Sequence, residues 1–322
     1  MRVSDRGPGA VQITVVAIQI ADIAPAWRGV LSCSPGSQAL STKGTYIKPK
    51  TLEEAVALLG SGEARILAGG TDFYPAQGER VIRDAVVDVS ALRELRGISL
   101  QADCHRIGGL TTWSDIIRAP LPRCFDALKN AAREVGSVQI QNRGTIAGNL
   151  CNASPAADGV PPLLALDAVV ELASKAGIRR MPLTEFITGN RKTQRRADEL
   201  LSAVLVPRDM DDAVSCFLKL GARRYLVISI AMVAVVLRID DAARVAGARI
   251  AVGSCSAVAL RLHSLERALM NAPVRDGLTR FARREHLAQL APIDDVRATG
   301  EYRMDACLTL VKRALDTCAG HS

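Results

Sequence analysis

Two short stretches hold the residues with the most chemical reach. One is Arg65-Ile-Leu-Ala-Gly-Gly-Thr-Asp72; the other, well downstream, is Thr145-Ile-Ala-Gly-Asn149. In the first, Ile66, Leu67 and Ala68 read as a buried strand, after which Gly69 and Gly70 turn the backbone sharply. Glycine reaches positive φ without strain and leaves no Cβ between the backbone and a ligand. Thr71 and Asp72 add a hydroxyl and a carboxylate. Successive N–H groups in such a turn form an anion-binding concavity, so a phosphate or diphosphate is the expected guest. The second stretch reads the same way, as a strand end that exposes backbone N–H groups around Gly148. Thr145, Asn149 and the nearby Ser154 offer hydrogen bonds to phosphate or polyol oxygens. Two such loops face to face would clamp a diphosphate from both sides. Asp158 has two readings: a carboxylate that accepts two bonds from sugar hydroxyls, or the N-cap of a helix opened by Pro161-Pro162.

Other phosphate and nucleophile chemistries are excluded by their missing signatures. Neither stretch is G-x-G-x-x-G opening a helix, and no G-x-x-x-x-G-K-[ST] or G-x-S-x-G occurs. The four histidines are scattered and the eight cysteines form no C-x-x-C pair, so no metal or iron–sulfur ligand set is expected. Dispersed cysteines suggest reduced, mostly buried thiols and a cytoplasmic location. The net charge of +8 includes several Arg-Arg pairs and favours anionic ligands or an acidic partner surface. With aromatics at 3%, stacking platforms for bases are not expected, and no nucleic-acid motif accompanies the charge.

The elements that must position these residues divide the 322-residue chain into an extension and three units. Residues 1–43 carry a β-branched apolar run and a Ser/Gly/Pro-rich linker; they are expected to be an N-terminal extension, neither a signal peptide nor a membrane span. From Tyr46 a strand, a helix over Leu52–Leu59 and two further strands predict a small α+β subdomain over residues 44–96. Thr51 and Glu54 have capping-box spacing at the start of that helix. A second subdomain, residues 97–212, holds strands at 97–100 and 106–110, a helix capped by Thr111 or Thr112, an amphipathic helix at 127–135 and a strand at 169–172. Residues 213–322 read as apolar strands at 213–220, 228–239 and 249–252, then helices at 262–270, 277–289 and 302–317. Strands followed by helices predict an antiparallel sheet with helices on one face. The fold class is α+β.

Four motifs carry a resemblance: Tyr46-Ile-Lys-Pro-Lys-Thr-Leu-Glu-Glu-Ala55, Leu67-Ala-Gly-Gly-Thr-Asp72, Gln139-Ile-Gln-Asn-Arg-Gly-Thr-Ile-Ala-Gly-Asn-Leu-Cys-Asn-Ala-Ser-Pro-Ala-Ala-Asp158 and Asp294-Asp-Val-Arg-Ala-Thr-Gly-Glu-Tyr-Arg303. In this order they resemble the FAD-binding medium subunit of the molybdenum hydroxylases, the xanthine dehydrogenase and carbon monoxide dehydrogenase family. The resemblance implies a two-subdomain FAD-binding domain of the vanillyl-alcohol-oxidase (PCMH) type over residues 44–212 and a carbon monoxide dehydrogenase flavoprotein C-terminal domain over 213–322. It implies FAD held by Ile66, Leu67, Ala68, Gly69, Gly70, Thr71, Asp72 and Phe73 and by Thr145, Ile146, Ala147, Gly148 and Asn149. It further places Asp158, Val135 and Lys219 at the cofactor, beside the Ser154 hydroxyl already read as a cofactor-binding group. Ala147 replaces a usual glycine, which requires negative φ there, and Gln194-Arg195 stand where relatives carry an apolar residue beside the flavin ring. No catalytic side chain is implied, because the cofactor carries the redox chemistry. The expected partners are a large molybdopterin-binding subunit and a small subunit with 2Fe-2S clusters, assembled as a dimer of heterotrimers. A self-contained flavin oxidase or reductase, and an assembly subunit that has lost FAD, are the alternatives.

Overall fold

The computed structural model describes residues 44–224 and 226–320, so the expected extension over 1–43 lies outside the described residues. The first unit is built from β1 (Tyr46–Ile47), α1 (Leu52–Leu59), β2 (Ala64–Leu67), α2 (Phe73–Gln77) and β3 (Ala85–Asp88). Thr51 Oγ1 accepts the Glu54 N–H at 3.2 Å, while the Glu54 carboxylate reaches Lys50 N–H, one residue before the cap, at 2.8 Å. The capping box is therefore only half formed. Ala55, Val56 and Leu59 bury one face of α1. The sheet order is β1-β3-β2, with β3 parallel to both neighbours. Strand β2 begins two residues earlier than expected because Ala64 and Arg65 also pair with β3. It stops at Leu67, so the glycine turn emerges at the carboxyl edge of a parallel sheet, where ligands collect in open α/β sheets.

The second unit comprises β4 (Ile98–Leu100), β5 (Cys104–Gly108), α3 (Trp113–Arg118), α4 (Asp126–Glu134), α5 (Val138–Arg143), α6 (Ile146–Asn152), α7 (Val160–Ala165), β6 (Val169–Ser174), β7 (Gly177–Pro182), α8 (Leu183–Phe186), β8 (Ile187–Gly189), β9 (Lys192–Thr193) and β10 (Leu200–Pro207). Its main sheet is antiparallel, in the order β4-β5-β10-β6-β7. The central strand, β10, was not anticipated. Its first seven residues are all buried, and a strand covered on both faces lacks the alternation that reveals a strand in sequence. Thr112, not Thr111, caps α3 in a complete capping box with Asp115. Residues 145–149 do not end a strand. Thr145 is the N-cap of α6, its side chain accepting the Gly148 N–H, and the chain runs on as helix to Asn152.

The third unit holds β11 (Val214–Leu220), β12 (Ala231–Ile239), β13 (Val245–Gly253), β14 (Leu260–Arg261), α9 (His263–Leu269) and α10 (Gly300–Gly320). The four strands pair antiparallel in chain order. Cys307, Leu310, Val311, Ala314, Leu315 and Cys318 recur at helical spacing on α10, and this buried stripe packs on the sheet. The helix expected over 277–289 is instead two short 3₁₀ turns, Leu278–Phe281 and Arg284–Leu287. Gly277 enters at φ +77°, and Ala282 and Arg283 between the turns are extended, which breaks the helical path. Among the described residues every cysteine is a free thiol, and no helix is long and apolar enough to cross a membrane.

Candidate cofactor site

A cavity of about 900 Å³ opens where the three units meet, and both glycine stretches line it. That volume lies near the top of the usual range for small-molecule sites. The two stretches abut. A Cβ on Gly69 would strike the Arg143 carbonyl and lie 3.1 Å from the Gly144 Cα, so only glycine lets the first turn pack on the segment that leads into α6. Gly70 sits at φ +79°, with Tyr74 Cε2 3.0 Å from where its Cβ would be. Beyond them the N–H groups of residues 69–72 make no backbone hydrogen bond, which leaves a row of donors at the cavity wall.

The second stretch contributes differently from the sequence expectation. Its N–H groups from Ile146 on are already engaged: Ile146 donates to Thr111 O, Ala147 to Gly109 O, Gly148 to the Thr145 hydroxyl and Asn149 to Thr145 O. From Ile146 to Asn149 it therefore supplies side chains and a close approach rather than free N–H donors. Ala147 lies within α6, outside the positive-φ residues, so its methyl group is accommodated. Asn149 Oδ1 is buried with no hydrogen-bond partner in the chain, an acceptor that a ligand donor would satisfy.

Of the residues singled out in the sequence, Ile66, Ala68, Gly69, Gly70, Thr71, Asp72, Phe73, Val135, Thr145, Ala147, Gly148, Asn149, Ser154 and Asp158 line the cavity. Three do not. Leu67 is 5% exposed and is packed beneath the glycine turn, its Cδ1 3.5 Å from where a Cβ on Gly70 would be. Ile146 is fully buried in the main core, with its N–H engaged, so neither part of it faces the cavity. Lys219 stands behind the wall and acts through Asp158.

Asp158 anchors the far side. Its Oδ2 accepts from Lys219 Nζ at 2.7 Å and its Oδ1 from the Ser229 hydroxyl at 2.7 Å, while Lys219 also donates to the Glu134 carbonyl. The capping reading fails: Gly159 is the N-cap of α7, with no side-chain cap bond. Burial pushes the Asp158 carboxyl above its ordinary range, and the Lys219 ammonium and Ser229 hydroxyl pull against that shift. A carboxylate offers about four lone-pair directions, so Asp158 retains acceptor capacity toward the cavity.

The remaining wall is partly cationic. Arg65 lies 4.4 Å from the Phe73 ring centroid and donates to Gln77 at 2.5 Å. Arg191 pairs with Asn152, and Arg195 is pinned by the carbonyls of Arg196 and Glu199, each at 2.8 Å. Arg195 lines the cavity and Gln194 does not. Cys151 also lines it, and burial pushes its thiol up to about 11. Sequence reasoning missed Ser229, Arg65, Trp113 and Cys151. For Ser229 the available signal was one hydroxyl inside the apolar run of residues 226–239.

Comparison with known proteins agrees with this architecture. Residues 40–209 match the family of the FAD binding domain in molybdopterin dehydrogenase, and residues 217–318 match the CO dehydrogenase flavoprotein C-terminal domain. The nicotinate dehydrogenase FAD-subunit of Eubacterium barkeri is 37% identical over 71% of this chain and 80% of its own length. The xanthine dehydrogenase FAD-binding subunit of Escherichia coli O157:H7 is 32% identical over 84% of this chain and 94% of its own length. Carbon monoxide dehydrogenase from Hydrogenophaga pseudoflava, in a form lacking the Mo-pyranopterin moiety, superposes with a TM-score of 0.76 at 29% identity, covering 86% of this chain and 97% of that one. Carrying both matched domains in the same order, this chain belongs to the FAD-binding subunits of the molybdopterin dehydrogenases, an oxidoreductase family.

Proposed function

We propose that the cavity is the FAD site of this subunit and that the chain works as the flavoprotein member of a molybdenum hydroxylase complex. A large molybdopterin-binding subunit and a small 2Fe-2S subunit are its partners in this reading, assembled as a dimer of heterotrimers in the cytoplasm. The observation that carries the reading is that an unbonded N–H row at residues 69–72 and the buried Asp158 carboxylate line the same cavity. Bound there, FAD supplies the redox chemistry that links the partner's clusters to an external electron acceptor.

The residues present fit such a group. The N–H row and Arg65 face the diphosphate, and Asn149 Oδ1 and Asp158 accept from its hydroxyls. Thr145 and Ser154 offer hydroxyls beside them, and Phe73 and Val135 cover apolar surface and exclude water. Lys219 and Ser229 keep Asp158 fixed without taking all its acceptor capacity. No acid or base among these side chains is needed, so none is assigned a catalytic role.

The test is to purify the chain alone and co-expressed with its genomic neighbours and to record visible spectra of both. Flavin absorbance in the complex, lost on FAD removal and restored on adding FAD, is the expected result. No flavin absorbance after reconstitution rules the reading out. Substrate turnover by the chain alone would mark a self-contained oxidase.

A further inference from the structure

Arg303 does not line the cavity, yet it holds the end of one segment that does and another that braces the lining loop 154–158. It stands in the first turns of α10 and is 3% exposed. Nη1 donates to the Ile230 carbonyl at 2.6 Å and to the Ser254 carbonyl at 3.2 Å, and Nη2 donates to Asp295 Oδ1 at 2.7 Å. Asp295 is itself preset by the N–H groups of Arg297 at 2.8 Å and Ala298 at 3.3 Å. The guanidinium is thus fixed from outside the site and presents the rest of its fork inward.

Each carbonyl that it holds is tied to the cavity wall through a neighbouring hydrogen bond. Ile230 follows Ser229, whose hydroxyl donates to Asp158 at 2.7 Å, and it closes the segment whose Leu226, Val227 and Ile228 line the mouth. Ser254 N–H donates to Pro155 O at 3.0 Å, and Pro155 follows the lining residue Ser154. One side chain therefore sets how deep residues 229 and 254 sit against the 154–158 loop. Three acceptors on two sides suit a planar guanidinium, whereas a lysine ammonium on its flexible stem would not hold all three.

We propose that Arg303 is a positioning residue of the cofactor site: by fixing Ile230 it sets the Ser229 hydroxyl against Asp158 and so the direction in which Asp158 presents its free lone pairs. This rests on the reading that FAD occupies the cavity. A purely structural Arg303 would only hold α10 on its sheet. Arg261 is the comparator, a similarly buried arginine tied to Glu266 and Asp167 that makes no bond to Ser229 or Ile230.

The experiment uses the co-purified complex, stripped of FAD and titrated with it. The variants are Arg303→Lys, Ser229→Ala, the double variant, Asp295→Ala and Arg261→Lys. The readouts are the FAD dissociation constant, the visible circular dichroism of the bound flavin and the melting temperature. Arg303→Lys is expected to weaken FAD binding about tenfold, the size of one lost charge-assisted hydrogen bond, and to shift the flavin dichroism. In the Ser229→Ala background the same change is expected to weaken it by less than about threefold, because the route through Ser229 is already cut. Arg261→Lys should lower the melting temperature while leaving the flavin dichroism unchanged. Wild-type affinity and dichroism in Arg303→Lys, or full additivity with Ser229→Ala, overturns the inference while leaving FAD binding by the wild type intact. Should Arg303→Lys not fold, Asp295→Ala decides the matter: it removes the outer acceptor and is expected to shift the dichroism, and an unchanged spectrum overturns the inference. A wild-type complex that binds no FAD sinks the proposed function itself.

Discussion

Replacing Asp158 by asparagine would test the buried pair on which the far wall of the cavity rests. Asp158 and Lys219 approach to 2.7 Å with side chains 9% and 6% exposed. At an effective dielectric constant near 20, that separation gives a gross attraction of about 6 kcal/mol. Desolvation of both groups offsets most of it, so the pair contributes little net stability, but removing one partner leaves the other charge buried and is expected to cost about 3–5 kcal/mol. In Asp158→Asn the Lys219 ammonium loses its counter-charge and is left with neutral acceptors, the Glu134 carbonyl at 3.4 Å among them. Lys219→Met leaves the carboxylate with Ser229 alone and should cost a similar amount. Asp158→Asn combined with Lys219→Met removes both charges and is expected to recover most of the loss. Urea unfolding of the FAD-free chain, read as a double-mutant cycle, gives the coupling directly. Single variants that each cost under about 1 kcal/mol and add in the double variant would show that the pair is open in solution and refute the reasoning. In the same series FAD affinity should fall by about 1–3 kcal/mol for Asp158→Asn, since a charge-assisted acceptor is lost.

Three more outcomes are expected. Gly69→Ala drives a methyl into the Arg143 carbonyl, backbone against backbone; it should destabilise the chain by about 1–3 kcal/mol and weaken FAD binding, whereas Gly62→Ala, which meets nothing within 4 Å, should be near neutral by thermal melting. Burial opposes ionisation of Asp115, but Arg96 and the Thr112 hydroxyl and N–H outweigh it and hold the carboxyl down at about 2. Because that folded-state value is depressed, the contribution is full above the ordinary carboxylate range near 4 and is lost as pH falls toward about 2; Asp115→Asn should flatten that limb of a melting-temperature profile. The Cys151 thiol, pushed up to about 11, stays protonated at neutral pH, so alkylation followed by mass spectrometry should be slow at pH 7, faster at pH 9.5, and suppressed by saturating FAD.

The first glycine turn was legible because its cause is local: an apolar run stops and two glycines follow, one of them at φ +79°. The second stretch was misread although its helical signal was present. Ile146 and Leu150 recur one turn apart behind a Thr cap, but a helix of seven residues gives periodicity little room to declare itself. Ser229 could not be found by any local rule, since its partner Asp158 is 71 positions away in sequence. Lys219 entered only through the family resemblance; nothing in Phe217-Leu-Lys219 says which carboxylate its ammonium meets. The overextended helix at 277–289 failed for the opposite reason. Apolar residues at 278, 281, 287 and 290 mimic a helical stripe, while the backbone at 282 and 283 is extended. Side-chain pattern reports which face is buried, and here the same burial is achieved by two short turns.

The sheet of β11 to β13 belongs to two hydrophobic cores at once. Phe217, Met232, Ala234, Val236 and Ala251 face the helices of the middle unit, while Cys216, Val233, Val235, Leu237 and Ile250, alternating with them, face α9 and α10. A cut between residues 209 and 217, where the two family domains adjoin, would therefore strip an apolar wall from one fragment and an apolar floor from the other. Neither piece should be soluble by itself, and the described part of the chain should melt in a single calorimetric transition rather than two. The seam that is convenient for classification is, mechanically, the middle of one object. Half of a flavin site cannot be borrowed from this chain and left to fold elsewhere.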